Sequence, residues 1–174
     1  MRTAKILTLL SGLLAAPIAS AQNAVPPGND GFTEWGKSGE WVIFVDNERQ
    51  TCLIEKFDAN RNAVQVGLTK DHNHAYLGVF MPLPEEHKNK KEEIFLEVNG
   101  EEQVTVVPRR NTREGVEYTG TYIKADDLSF AEGATVAKEV VVFEDGAEMS
   151  VVFDLSGGAA AVEAAKECNL TLNP

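Results

Sequence analysis

The expected fold is decided by the stretch LSGGAAAVEAAKEC, which occupies residues 155–168. It is the strongest helix pattern in a chain whose other apolar residues mostly alternate as they do in strands. Ser156 is the predicted N-cap of this helix. Ala161, Ala165 and Cys168 fall on one helical face, where small side chains let a helix approach a sheet closely. The stretch therefore predicts one C-terminal helix packed on a β-rich core.

The last residue of this stretch, Cys168, is one of only two cysteines in the sequence, and the other is Cys52. A pair of cysteines in an exported chain favours a disulfide bond, because the compartment is oxidising. Closing a loop of this length would stabilise the fold by up to about 4–5 kcal/mol in the chain-entropy model. Intermolecular pairing and free thiols are the alternatives, and a two-thiolate metal site lacks further ligands near either cysteine. We expect a Cys52–Cys168 disulfide that ties the helix to an early strand.

The N-terminus predicts export. Arg2 and Lys5 precede an apolar segment at residues 6–18, and Ala19-Ser20-Ala21 is a small-x-small cleavage site, so residues 1–21 form a signal peptide; a retained membrane anchor is the alternative. Cleavage removes two of the 16 basic residues and none of the 27 acidic ones, which changes the net charge from −11 to −13. Such a charge disfavours nucleic acid and anionic membranes as partners. No later stretch is long and apolar enough to span a membrane.

The rest of the chain predicts one domain. Residues 22–38 contain Pro26-Pro27-Gly28 and are expected to form a flexible leader, followed by a single β-rich domain at residues 39–174. About nine strands are predicted, at residues 41–45, 52–57, 64–69, 75–81, 94–98, 104–107, 116–123, 136–143 and 149–155. The pattern is typical of a mainly-β fold, an antiparallel β-sandwich or barrel with one C-terminal helix.

The sharpest candidate for metal binding is the segment Asp71-His72-Asn73-His74. In an extended segment His72 and His74 would project to the same side, and Asp71 could add a third ligand for zinc or copper. The alternative is a polar hairpin tip between two strands, which the absence of an identifiable fourth ligand favours. We expect no cofactor.

A second candidate is the basic island of Arg109, Arg110 and Arg113 in an otherwise acidic protein. Guanidinium groups suit carboxylate or phosphate ligands, so an anion or an acidic partner could bind there. A solvated loop at residues 108–113 is the more common explanation of such a cluster.

Catalytic patterns are missing from the sequence. Ser156 lies in Leu-Ser-Gly-Gly, which is not the Gly-x-Ser-x-Gly elbow of a hydrolase, and no histidine has an obvious orienting carboxylate. Asp58 opens a run that resembles a calcium loop, but Ala63 replaces its glycine and Thr69 its final glutamate. We therefore expect a protein that is not an enzyme.

The chain resembles the invasion-associated locus B family of Gram-negative bacteria. The resemblance spans residues 41–168 and is carried by Trp41 followed by Cys52, and by the run from Phe153 to Cys168 that contains the closing helix. The chain departs from the family near the leading tryptophan, where members generally have a further cysteine. The resemblance implies an exported, non-enzymatic protein of host-cell interaction.

The sequence thus predicts a periplasmic or secreted protein that acts by binding a protein partner. One alternative is an inhibitor or immunity protein for a secreted hydrolase, whose basic surface an acidic protein would complement. Another is a small periplasmic metal-binding protein or enzyme, which would need His72, His74 and an acid in one pocket.

Overall fold

The computed structural model describes residues 31–113, 115–125 and 127–174, with residues 102–106 described by their backbone alone. In chain order the elements are β1 (Phe32–Ser38), β2 (Trp41–Asp46), β3 (Thr51–Phe57), β4 (Ala63–Leu68), β5 (Ala75–Pro82), a 3-10 turn at Glu85–His87, β6 (Glu92–Val98), β7 (Glu101–Val106), β8 (Arg109–Arg113), β9 (Val116–Ala125), the short helix α1 (Ser129–Gly133), β10 (Val136–Phe143), β11 (Glu148–Asp154) and the helix α2 (Gly158–Leu172).

The strands form two antiparallel sheets. One has seven strands in the order β1-β2-β3-β4-β5-β9-β8, and the other has four in the order β11-β10-β6-β7. The outer strands of the larger sheet, β1 and β8, do not pair with each other, so the arrangement is a sandwich and not a closed barrel. The predicted mainly-β fold with a C-terminal helix is confirmed.

The main core lies between the larger sheet, the smaller sheet and α2. The face of the larger sheet that carries Ile43, Ile54 and Leu77 packs against α2 and against the apolar side of the smaller sheet. Cys52 and Cys168 form the predicted disulfide, with their Cα atoms 6.1 Å apart, and both are fully buried. Ala161, Ala165 and Cys168, which form the predicted small-residue face of α2, are all buried, as expected.

The cap of α2 differs from the prediction. The residue before the helix is Gly157, which has a left-handed φ of 78° that suits glycine, and no side chain caps the helix. Ser156 instead donates from its hydroxyl to Asp154 Oδ1 at 2.5 Å. Its carbonyl accepts a hydrogen bond of 3.0 Å from the Trp41 indole. Trp41 is 1% exposed, so this bond fixes the start of α2 from within the core.

Two predicted boundaries need correction. Residues 32–38, assigned above to a flexible leader, form β1 and pair with β2, so the folded domain begins before residue 39. Residues 109–113, predicted as a loop, form β8 and pair with β9. The predicted signal peptide (residues 1–21) and residues 22–30 of the leader lie outside the described residues. Within those residues, the helices are too short or too polar to cross a membrane.

Candidate functional site

The seven-stranded sheet is strongly curved, and this curvature creates the candidate site. Arg113 on β8 contacts Glu55 on β3, with Nη1 3.2 Å from Oε1, although four strand-to-strand steps separate β8 from β3. In a flat sheet those steps would place the strands about 19 Å apart. The face opposite α2 must therefore be concave. We call it the concave face.

Glycines on the concave face allow aromatic rings to lie flat across neighbouring strands. Gly67 is the register partner of Tyr76, and a Cβ on Gly67 would lie 1.8 Å from the Tyr76 ring. Gly78 is the partner of Tyr122, and a Cβ there would lie 2.4 Å from that ring. The two tyrosine rings meet edge to face, with centroids 5.6 Å apart. The missing side chains therefore make room for a tyrosine pair that a standard strand residue would exclude.

A chain of hydrogen bonds runs beneath these rings. The Tyr122 hydroxyl donates to Gln65 Oε1 at 2.9 Å, and the Gln65 amide donates to Glu55 Oε2 at 2.5 Å. We call Glu55, Gln65 and Tyr122 the polar row. Its members are 0%, 1% and 39% exposed, respectively, so the row leads from a fully buried carboxyl group to a tyrosine at the surface.

The environment of Glu55 raises the pKa of its carboxyl group. Burial raises the pKa of Glu55 to about 7, while the Arg113 charge and the hydrogen bonds from Gln65 and Arg113 oppose that rise. Arg113 is held in turn by the Phe57 ring, whose centroid is 4.5 Å from the guanidinium carbon. The inner end of the polar row is therefore a carboxyl group that exchanges its proton near neutral pH.

The three predicted anion-binding arginines do not form one site. Arg110 points away from the concave face and donates from Nε to Glu92 Oε1 at 2.8 Å, while Arg113 is buried against Glu55. Only Arg109 is exposed. Side chains alternate along β8, so the island that looked continuous in sequence is divided between two faces of the sheet.

The predicted metal ligands also diverge. The segment is not extended, because His72 adopts a φ of 60° and turns its Nδ1 to the Asn169 amide, 3.1 Å away. His74 instead lies with Nδ1 3.3 Å from Asp71 Oδ2. Throughout the described part of the chain, no three His, Cys, Asp or Glu side chains gather closely enough to hold a metal ion. The segment therefore lacks the extended conformation that the metal hypothesis assumed.

The Asp71 carboxylate belongs to the hairpin tip itself. It accepts a hydrogen bond from the Thr69 hydroxyl at 2.5 Å and another from the Asn73 backbone N–H at 3.2 Å. These bonds, first the one from Thr69, lower the pKa of Asp71 to about 2. The polar-tip interpretation of this segment agrees with these contacts.

Sequence reasoning missed the concave face. Glu55, Gln65 and Tyr122 lie in three segments for which the sequence pattern predicts strands and no site. The available signal was the pairing of glycine with tyrosine in neighbouring strands, at Gly67 with Tyr76 and at Gly78 with Tyr122. That signal becomes visible only when the register is known.

The comparisons with known proteins add no relative. No protein-family model matches this chain, and no curated protein or solved structure matches it either.

Proposed function

We propose that this chain is an exported protein that acts by binding and not by catalysis, and that its ligand binds on the concave face where Tyr122 reaches the surface. The observation that carries the proposal is the polar row, because it connects an exposed aromatic ring to a buried carboxyl group through two direct hydrogen bonds. Convergent polar groups beside aromatic rings are typical of ligand sites.

The state of Glu55 supports binding over catalysis. A carboxyl group with a pKa near 7 would suit a general acid or base. Glu55, however, is fully buried, and both of its oxygens are engaged by Gln65 and Arg113. A group held in this way orients the residues above it and has no direct access to a substrate.

Export and the family resemblance belong to the same proposal. The disulfide supports an oxidising compartment, which for this signal peptide is the periplasm or the exterior. The segments that carry the resemblance to the invasion-associated locus B family contact each other, through the Cys52–Cys168 bond and the Trp41–Ser156 hydrogen bond. A protein partner, as the family implies, stays a prediction.

The test combines mass spectrometry with NMR. Protein recovered from the periplasm of a Gram-negative host should begin near Gln22 and be two daltons lighter than the reduced form. The ¹⁵N-labelled protein is then titrated with a library of small molecules, and each ligand is recovered afterwards. We expect amide shifts to gather at Gln65, Gly78 and Tyr122 and the ligands to be chemically unchanged. Shifts confined to the smaller sheet, or conversion of a ligand, would contradict the proposal.

A second candidate is inhibition of a basic secreted hydrolase through the hairpin tip at residues 69–74. The observation that favours it is the exposed Asp71, which its hydrogen bonds keep ionised. An exposed carboxylate on a protein of net negative charge complements a basic cleft. Lysozyme assays with the wild-type protein and with Asp71→Asn distinguish the two functions, because this candidate requires inhibition that the substitution weakens.

A further inference from the structure

Positive charge is concentrated around the exposed end of the polar row, in a protein whose formal net charge is −11. Arg109 is the register partner of Gly120, two residues before Tyr122 on β9, and Lys124 lies two residues after it. Residues two apart on a strand share a face, so both side chains stand on the concave face with Tyr122 between them. Both are exposed.

A third cation approaches from the turn between β2 and β3. Arg49 is 68% exposed and pairs with Asp46 at 2.7 Å. Burial raises the pKa of the Tyr122 hydroxyl, and the charges of Arg49 and Arg109 both oppose that rise. Arg49 is thus already paired with a carboxylate, whereas among the described residues Arg109 and Lys124 are not. We call Arg109 and Lys124 the cationic rim.

Most other cations of the described residues are neutralised locally. Lys56 pairs with Glu40 at 2.8 Å and Lys88 with Glu85 at 2.6 Å. Among the described residues, Arg109 and Lys124 have no carboxylate partner, and neither does Lys70 or Lys138, which lie elsewhere. Arg109 and Lys124, which are not neutralised, thus flank the exposed ring of Tyr122. Such an arrangement favours a ligand that has both an anionic group and a ring of its own.

We propose that the cationic rim and Tyr122 bind a small ligand that carries one acidic group, a carboxylate or a phosphate, beside a ring. This inference rests on the proposed function, because it assigns the chemistry of the ligand that the concave face would bind. The rim holds the acidic group and the tyrosine ring packs against the ring of the ligand. A polyanion is disfavoured, because the large net negative charge repels it while the rim offers only two cations.

The test uses two fluorescent probes that share a ring system. 1-Anilinonaphthalene-8-sulfonate carries one negative charge, and N-phenyl-1-naphthylamine is neutral. Full-length mature protein is titrated with each probe as the wild type, as Arg109→Gln/Lys124→Gln, and as the matched control Lys70→Gln/Lys138→Gln. All four positions are surface cations without a carboxylate partner among the described residues, so each double variant removes two positive charges, at the rim in one case and away from it in the other.

We expect the rim variant to bind the sulfonate probe with about fivefold lower affinity than the wild type. This is the effect expected from the loss of two partly screened ion contacts. Binding of the neutral probe should stay within about twofold, and the control variant should bind both probes as the wild type does. Inorganic phosphate and acetate should displace the sulfonate probe from the wild-type protein and leave the neutral probe bound. This competition needs no substitution and remains informative if a variant folds poorly.

The outcomes separate this inference from the proposed function. If Tyr122→Ala weakens both probes while the rim variant changes neither, the concave face binds ligands without charge recognition and the inference is overturned. If Tyr122→Ala, verified as folded by circular dichroism, leaves both probes unchanged, the concave face is not the binding surface and both proposals fail. Absence of any binding of the sulfonate probe would also overturn the inference.

Discussion

The buried carboxyl group of Glu139 allows a quantitative test of the structure. Glu139 lies on β10 between Ala137 and Val141, which are buried in the two apolar clusters between the sheets. It is 0% exposed, and among the described residues neither of its carboxyl oxygens has a hydrogen-bond partner. Burial alone raises the pKa of Glu139 well above its usual range. The folded protein therefore keeps the Glu139 carboxyl group protonated at pH values at which the unfolded chain has already released that proton.

The sign and the size of the effect follow from this difference. The pKa of a glutamate in an unfolded chain is about 4.3. Above that pH the folded state binds one proton more than the unfolded state, so the free energy of unfolding falls as pH rises, by about 1.4 kcal/mol per pH unit. The loss continues until the pH passes the folded-state pKa. Glu139→Gln keeps the shape and removes the titration, so the variant should gain stability over the wild type by this slope.

Urea denaturation at half-unit pH intervals between 4 and 8, with the disulfide intact, measures the difference. Glu55 titrates in both proteins, and its contribution cancels when the two are subtracted. Glu148→Gln, at an exposed position on β11, is the matched control and should show no such slope. If the difference in free energy of unfolding between Glu139→Gln and the wild type stays constant from pH 5 to pH 7, the assignment of Glu139 as a buried acid without a partner is refuted.

Three further predictions test the packing, each by urea denaturation of substituted proteins. Replacing Cys52 and Cys168 by serine opens a link between residues 116 positions apart and should cost about 2–5 kcal/mol; an unchanged midpoint would contradict the role of the disulfide. Gly78→Ala places a Cβ 2.4 Å from the tyrosine ring above it and should cost about 1–3 kcal/mol, whereas Gly36→Ala enters open space and should change stability by less than about 0.5 kcal/mol; equal effects would argue against the close ring packing. Asn169→Leu removes the Asn169 partner of the Cys52 backbone N–H on β3 and one of the two hydrogen bonds that the Thr69 carbonyl accepts, the other coming from the His72 N–H, so a loss of about 1–3 kcal/mol is expected, and a neutral result would mean that the Cys52 N–H finds water.

The parts of the fold that sequence predicts best are those where apolar periodicity and burial coincide. The nine predicted strands correspond to nine of the eleven in the described residues, and the helix, its buried face and the disulfide are also as expected. The two missing strands, β1 and β8, are the outer strands of the larger sheet. Outer strands tend to carry glycine and charged residues that discourage aggregation, so the alternation that reveals inner strands is weak there.

The candidate site was harder to predict, because it depends on contacts between distant residues. Glu55 and Arg113 are separated by 58 positions, and only the curvature of the sheet brings them together. Arg110 and Arg113 are separated for a different reason, because side chains alternate between the two faces along β8, although the sequence suggested one cluster. The metal hypothesis for the histidine tip assumed an extended segment, and the left-handed φ of one residue, His72, shows that the segment turns instead.

The two faces of the larger sheet solve different physical problems. The face toward α2 is apolar and is closed by a disulfide, as expected for a surface whose purpose is stability. The concave face instead buries the Glu55–Arg113 pair, and an apolar pair of similar volume is often equally or more stabilising. Stability alone therefore gives little reason for this pair. Its hydrogen bonds orient Gln65 and, through it, the exposed ring of Tyr122, which is the arrangement that a binding surface needs to hold an aromatic side chain in one position.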